Sequence, residues 1–170
     1  MSIWKAECDT VPCQWNSPVR GPVHPGFVPL DEPSGVGWLD GFDEFLVRCG
    51  LRSFGAPDFD STGKLLFPLH GRIGNTPAEN LQIELDAQQS MLVITADIYE
   101  TRFLFGSFRL RVEYRLKYDE PRIEIHDRVT NLSSNSASMQ LLYHINFGQP
   151  LLGEGAQIML AADQIAARDS

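Results

Sequence analysis

Apolar and polar positions alternate along the second half of the chain. Phe108, Leu110, Val112, Tyr114 and Leu116 fall on one face, and Arg109, Arg111, Glu113, Arg115 and Lys117 on the other. A period of two with one apolar side predicts a long antiparallel strand whose inner face is buried and whose outer face is wet. The same pattern predicts further strands near 81–87, 91–100, 121–130, 137–147 and 156–161. Turn-prone segments separate them, among them Gln88-Gln89, Asp119-Glu120-Pro121 and the run from Asn131 to Asn135. Strand follows strand with no helical period between, so the expectation is an all-β, antiparallel sandwich rather than alternating α/β units.

The first half reads differently. From Val11 to Pro77 the chain is dense in Pro and Gly, which excludes long helices and predicts ordered loops with short strands. A short turn around Asp40 to Phe45 is the one helical piece expected. Trp15, Phe27, Trp38, Phe42, Phe45, Phe54 and Phe59 are too many aromatics for a flexible linker, so these loops should pack as a layer on the sheet. The organisation expected is a single domain over 1–170, with a loop-rich portion at 1–80 and antiparallel strands at 81–161.

Composition sharpens this picture in three ways. With 43% apolar and 10% aromatic residues in 170, the chain can bury a core of ordinary size. Fourteen Lys and Arg against twenty-two Asp and Glu give a net charge of −8, which opposes a sequence-independent grip on nucleic acid. No apolar run approaches the ~20 residues that span a bilayer, and the first residues lack the basic-then-apolar order of a signal peptide, so a cytoplasmic protein without a membrane partner is expected. Cys8, Cys13 and Cys49 match neither zinc nor redox spacing and read as reduced packing residues.

Two segments carry candidate chemistry. In Pro68-Leu-His-Gly-Arg-Ile-Gly-Asn-Thr-Pro77, two glycines permit a sharp turn while His70, Arg72 and Asn75 offer polar groups from one short loop, an arrangement suited to a hydroxylated ligand. In Gln140-Leu-Leu-Tyr-His-Ile-Asn-Phe-Gly148, alternation places His144 and Asn146 on the face opposite Tyr143, Ile145 and Phe147. A histidine taken alone in a strand more often makes structural hydrogen bonds than catalyses. His24, flanked by prolines, reads as a loop residue contacting backbone, and His126, between Glu124 and Arg128, as solvent-exposed.

The order of the two histidine segments changes their weight. Leu69-His-Gly-Arg-Ile-Gly74 resembles the His-Gly loop of the aldose 1-epimerases, the galactose-mutarotase-like superfamily, and Tyr143-His-Ile-Asn-Phe-Gly148 resembles their histidine-bearing strand. Trp15-Asn-Ser-Pro18, Gly37-Trp-Leu-Asp-Gly-Phe42, Arg48-Cys-Gly-Leu51 and the extensions of both histidine segments are similar to the uncharacterised epimerase-like (DUF4432-type) relatives of that family. Several short motifs in the right order over nearly the whole chain carry more than any one of them.

The resemblance implies a β-sandwich with a pyranose in a shallow cleft, and no cofactor or metal. It implies His144 as general acid on the ring oxygen and His70 as the assisting histidine that hydrogen-bonds the sugar. It implies binding roles for Arg72, Asn75 and Asn146, with Arg48 as a further anchor for a hydroxyl or charged group. Opening a hemiacetal needs one proton delivered and one removed near neutral pH, which imidazole suits. The family's glutamate base corresponds to sequence beyond Ser170, and Glu154, in a turn, matches no catalytic position. The chain therefore reads as a fragment or reduced relative, whose open edges and apolar surface imply a homo-oligomer. Two other classes stay open: a carbohydrate-binding β-sandwich without turnover, and a metal-dependent cupin-like barrel, against which stands the lack of His-x-His spacing.

Overall fold

The structure, a computed structural model, describes every residue except 20, 22, 105, 119, 160 and 167–170. Ten strands occur among the described residues: β1 (Glu7–Cys8), β2 (Val11–Pro12), β3 (Leu46–Leu51), β4 (Asp58–Phe59), β5 (Leu65–Phe67), β6 (Glu79–Asp86), β7 (Met91–Arg102), β8 (Gly106–Lys117), β9 (Ile123–Asn131) and β10 (Gln140–Ile145). Every strand pairing is antiparallel, and the helical content of the described residues is three short 3-10 turns.

The period-two segments form one meander in the order β6-β7-β8-β9. In its register Leu110 opposes Ile98 and Val129, Val112 opposes Ala96 and Asp127, and Tyr114 opposes Ile94 and Ile125. Directly opposed residues share a face, so this register collects the apolar positions of the three strands on one side. That inner side meets Leu51 and Ile73, which join Ile98, Phe108, Leu110, Val112 and Tyr114 in a buried cluster. Each such large apolar side chain taken fully out of water contributes roughly 1.5–3 kcal/mol.

β3 pairs with β10, from Leu46↔Ile145 to Leu51↔Gln140, and all six β3 residues are buried. This ribbon is the middle layer. One side faces the meander; the other carries Val47 and Cys49 into a second cluster with Leu30 and Trp38, flanked by Val28, Phe42, Leu69 and Leu142. The Pro- and Gly-rich loops thus cover the ribbon as a third layer. Strict alternation would keep Leu51 with Val47 and Cys49, yet it packs against the meander. The break falls at Gly50, whose φ is 133° and where a Cβ would come within 2.2 Å of the Gln140 carbonyl oxygen.

Two expectations need correction. The strand expected at 156–161 is absent among its described residues, and Leu160 lies outside them. Ile158 and Met159 are 81% and 92% exposed. The apolar residues there have no neighbouring strand to pair with among the described residues, and without a ladder a strand does not form. The helical turn expected around Asp40 to Phe45 lies earlier, as a 3-10 turn at Gly37–Asp40, because the residues after Gly41 already lead into β3. β3 itself escaped the pattern, since a strand buried on both sides shows no alternation.

Candidate active site

His70 is placed by a tight crossing of backbone. The amide of Gly50 donates to the His70 carbonyl at 3.1 Å, the His70 amide donates to the Gly55 carbonyl at 2.9 Å, and the Arg72 amide donates back to the Gly50 carbonyl at 3.2 Å. His70 and Gly71 both take left-handed φ values, 62° and 74°. At Gly71 a Cβ would sit 2.2 Å from the Ser53 carbonyl oxygen and 2.6 Å from that of Gly50, so only glycine fits this approach. The turn aims the His70 ring at the ribbon.

His144 comes from β10, opposite Val47 and on the same side of the ribbon. Its ring lies 5.3 Å from that of His70, centroid to centroid, in an edge-on arrangement. Trp38 touches both imidazoles, at 4.6 Å from His70 and 5.7 Å from His144, and Phe42 meets His144 edge-on at 5.1 Å. Trp38 and Phe42 stack at 4.2 Å, and Trp15 extends the row 5.6 Å from Phe42. Trp38 is 4% exposed, whereas both histidines keep intermediate exposure. The result is a pair of adjacent imidazoles against a rigid aromatic wall, a polar spot in apolar surroundings.

The other named residues are distributed elsewhere. Arg72 and Asn75 line a neighbouring cleft of about 530 Å³ with Pro25, Leu30, Asp31 and Glu32. There the Arg72 guanidinium donates to Asp31 Oδ1 at 2.5 Å, and this bond holds the Asp31 carboxyl below its usual range. Asn75 Nδ2 donates to the Pro25 carbonyl at 3.0 Å. Asn146 serves backbone: its side chain donates to the Glu44 carbonyl at 2.9 Å, its amide donates to Phe45, and its carbonyl accepts from Trp15. Glu154 lies exposed in a turn.

Arg48 lies on the opposite side of the ribbon from His144. It is 2% exposed and forks onto Asp127, Nε to Oδ2 at 2.5 Å and Nη2 to Oδ1 at 2.9 Å. Its Nη1 donates to Tyr114 Oη at 2.6 Å and to the Met1 carbonyl at 2.7 Å. Tyr143 Oη adds a bond to Asp127 Oδ2 at 2.9 Å, and burial, reinforced by this carboxylate, pushes the Tyr143 phenol up to about 12. A guanidinium so engaged cross-links the two layers of the sandwich.

Sequence reasoning gave no role to Trp38 and Phe42, although Gly37-Trp-Leu-Asp-Gly-Phe42 stood out as a motif; their spacing of four was the available signal. It also missed the Arg48–Asp127 pair. The signal there was phase: Asp127 falls between Ile125 and Val129 on the apolar face of its strand. His24 caps the Pro25–Phe27 turn by accepting from the Gly26 amide, and His126 is exposed beside Glu124. Burial pushes the Cys49 thiol up to about 12, so it stays protonated and unreactive near neutrality. Among the described residues no group of three or more His, Cys, Asp or Glu is placed to hold a metal ion, and no helix is long and apolar enough to cross a membrane.

An antiparallel sandwich of this kind is the fold of the aldose 1-epimerase-like, galactose-mutarotase-like proteins. A crystal structure from Klebsiella pneumoniae subsp. pneumoniae MGH 78578, described as a "putative aldose 1-epimerase", superposes with a TM-score of 0.84 at 33% sequence identity, covering 91% of this chain and 40% of that one. The model of the family described as "Domain of unknown function (DUF4432)" matches residues 1–170, and the chain belongs to that family. It spans 40% of the length of the Klebsiella protein. No curated protein matches it.

Proposed function

We propose that the chain supplies the histidine half of a sugar site and that this site binds an aldose or aldose derivative for exchange between its anomers. The carrying observation is the meeting of His70 and His144 at 5.3 Å on one side of the ribbon. A pyranose about 5 Å across, seated over both rings, could receive a proton on its ring oxygen from His144 while His70 hydrogen-bonds a neighbouring hydroxyl. The apolar wall of Trp38, Phe42 and Trp15 supports this reading, because it excludes water from one side of the pair and offers surface to the carbon face of a sugar. Arg72 and Asn75, which line a cleft with Asp31, would contact more distant hydroxyls or a charged substituent in this reading, with Arg72 exchanging its bond to Asp31 for the ligand.

Hemiacetal opening also needs a base on the anomeric hydroxyl. Binding without turnover is therefore the second reading, favoured by the aromatic surface of Trp38 and Phe42 beside the pair, which can hold the carbon face of a sugar without taking part in proton transfer. NMR exchange spectroscopy on equilibrated aldoses separates the two. Accelerated α/β exchange that His144→Asn abolishes, with the circular dichroism unchanged, supports turnover. Exchange equal in the variant and the native chain would remove His144 from the acid role.

A further inference from the structure

β6 ends the meander, and its free side has no partner among the described residues. It carries neither Lys nor Pro, two of the devices that discourage strand addition, and its acidic residues Glu79 and Asp86 stand at its ends with Glu84 alone between them. Its register to β7 is continuous from Gln82 to Asp86, and the one irregularity, between Glu79 and Gln82, takes in Leu81. Ile83 opposes Ile94 and Leu85 opposes Leu92, which places this row on the inner face of the sheet. The ribbon does not extend over it: Leu81, Ile83 and Leu85 are 58%, 63% and 70% exposed.

The segment Leu81-Gln82-Ile83-Glu84-Leu85 reads alike in both directions in its alternation of apolar and polar residues. Set antiparallel to itself about a two-fold axis through Ile83, it brings Ile83 opposite Ile83 and Leu81 opposite Leu85 on the inner face. On the outer face each Glu84 then opposes Gln82 of the other copy rather than a second carboxylate. The strand is thus complementary to itself in shape and in charge, the requirement for an isologous contact.

We propose that β6 is a homodimer interface, at which two copies of this chain pair edge to edge through Leu81–Leu85 into one eight-stranded sheet. Pairing would satisfy the free backbone groups of both edges and shelter two apolar rows at once. A contact of five residues per side is small, so the association should be of micromolar strength. The inference is independent of any sugar site.

Sedimentation velocity and cross-linking test it on the 170-residue chain. At about 50 µM the native protein should run at twice the 19.0 kDa of one chain. Ile83→Lys, which sets two cations against each other at an exposed position, should weaken the dimer at least tenfold with the circular dichroism unchanged. In a Cys8→Ser, Cys13→Ser background, Ile83→Cys should oxidise to a covalent dimer, because self-opposed residues lie about 4.5–5.5 Å apart between Cα atoms, within disulfide reach. Gln82→Cys should not, being two residues out of register with its own copy. A monomer at 50 µM, a dimer indifferent to Ile83→Lys, or equal cross-linking of the two cysteine variants would each overturn the proposal.

Discussion

Arg48 and Asp127 show what a charge does when the fold buries it. Both side chains are almost fully buried, at 2% and 3% exposure, and each is desolvated at a cost that the forked bond, the two tyrosine hydroxyls and the Met1 carbonyl offset. Removing one partner is therefore worse than never having had the pair. Arg48→Met should destabilise the protein by about 3–5 kcal/mol, since Asp127 would be left as an uncompensated buried charge. Urea unfolding measures this, and a loss under about 1 kcal/mol, the range of exposed pairs, would show that the pair contributes no more than a surface contact. This position also shows a boundary of sequence reasoning. An arginine in an Arg-Cys-Gly-Leu motif invites a ligand, and only the pairing of β3 with β10 reveals that it faces the interior.

Among the strands, legibility followed exposure. β8 and β9 were plain in the sequence because one face of each is more exposed than the other, so alternation survives, and β7 was read from its apolar run between turn signals. β3, buried on both sides, had no alternation to read, and the apolar residues after Ala156 pair with no strand among the described residues. The candidate site followed the same rule. His70 and His144 could be named from their local segments, but their meeting depends on the crossing of Gly50 and Gly71, a long-range approach that no local pattern encodes. Asn146 was named as a binding residue, yet its amide group serves the Glu44 carbonyl.

One contact between strands gives a pH prediction. Glu100, on the inner side of β7, accepts from the Leu51 amide at 2.7 Å and so ties β7 to the end of β3. Burial raises its carboxyl above the ordinary 4.5. The folded state then holds this proton more tightly than the unfolded chain. Its contribution to stability is fully present below pH 4.5 and is lost as pH rises through the raised folded value. Glu100→Gln removes that titration while keeping an amide oxygen for the bond. The stability of the variant relative to the native protein should increase between about pH 4 and about pH 7. A difference that stays flat, or falls, across that range would contradict the assignment.

At the scale of the whole molecule, a meander, a ribbon and a loop layer divide the work. The meander and ribbon make the sandwich core through Leu51 and Ile73, and the loop layer brings Trp38, Phe42 and His70 to the other side of the ribbon, where His144 stands. The site therefore lies away from the sandwich core, and a second cleft of about 960 Å³, lined by Ile3, Ile94, Leu116, Ile125 and Phe147 among others, belongs to the open end of the sandwich instead. Composition and charge indicated nothing about this division; it follows from which faces the pairing leaves apolar.

Whether a sugar seats over the paired imidazoles can be read by histidine-selective NMR without requiring turnover. With the ring carbons and nitrogens of the four histidines labelled and assigned by single substitutions, an aldose series would be titrated into the native chain. The His70 and His144 resonances should move together and saturably with at least one aldose, while those of His24 and His126 stay fixed. Titrations to high sugar concentration that leave His70 and His144 unmoved, or that move only the other pair, would contradict a sugar site at the paired imidazoles.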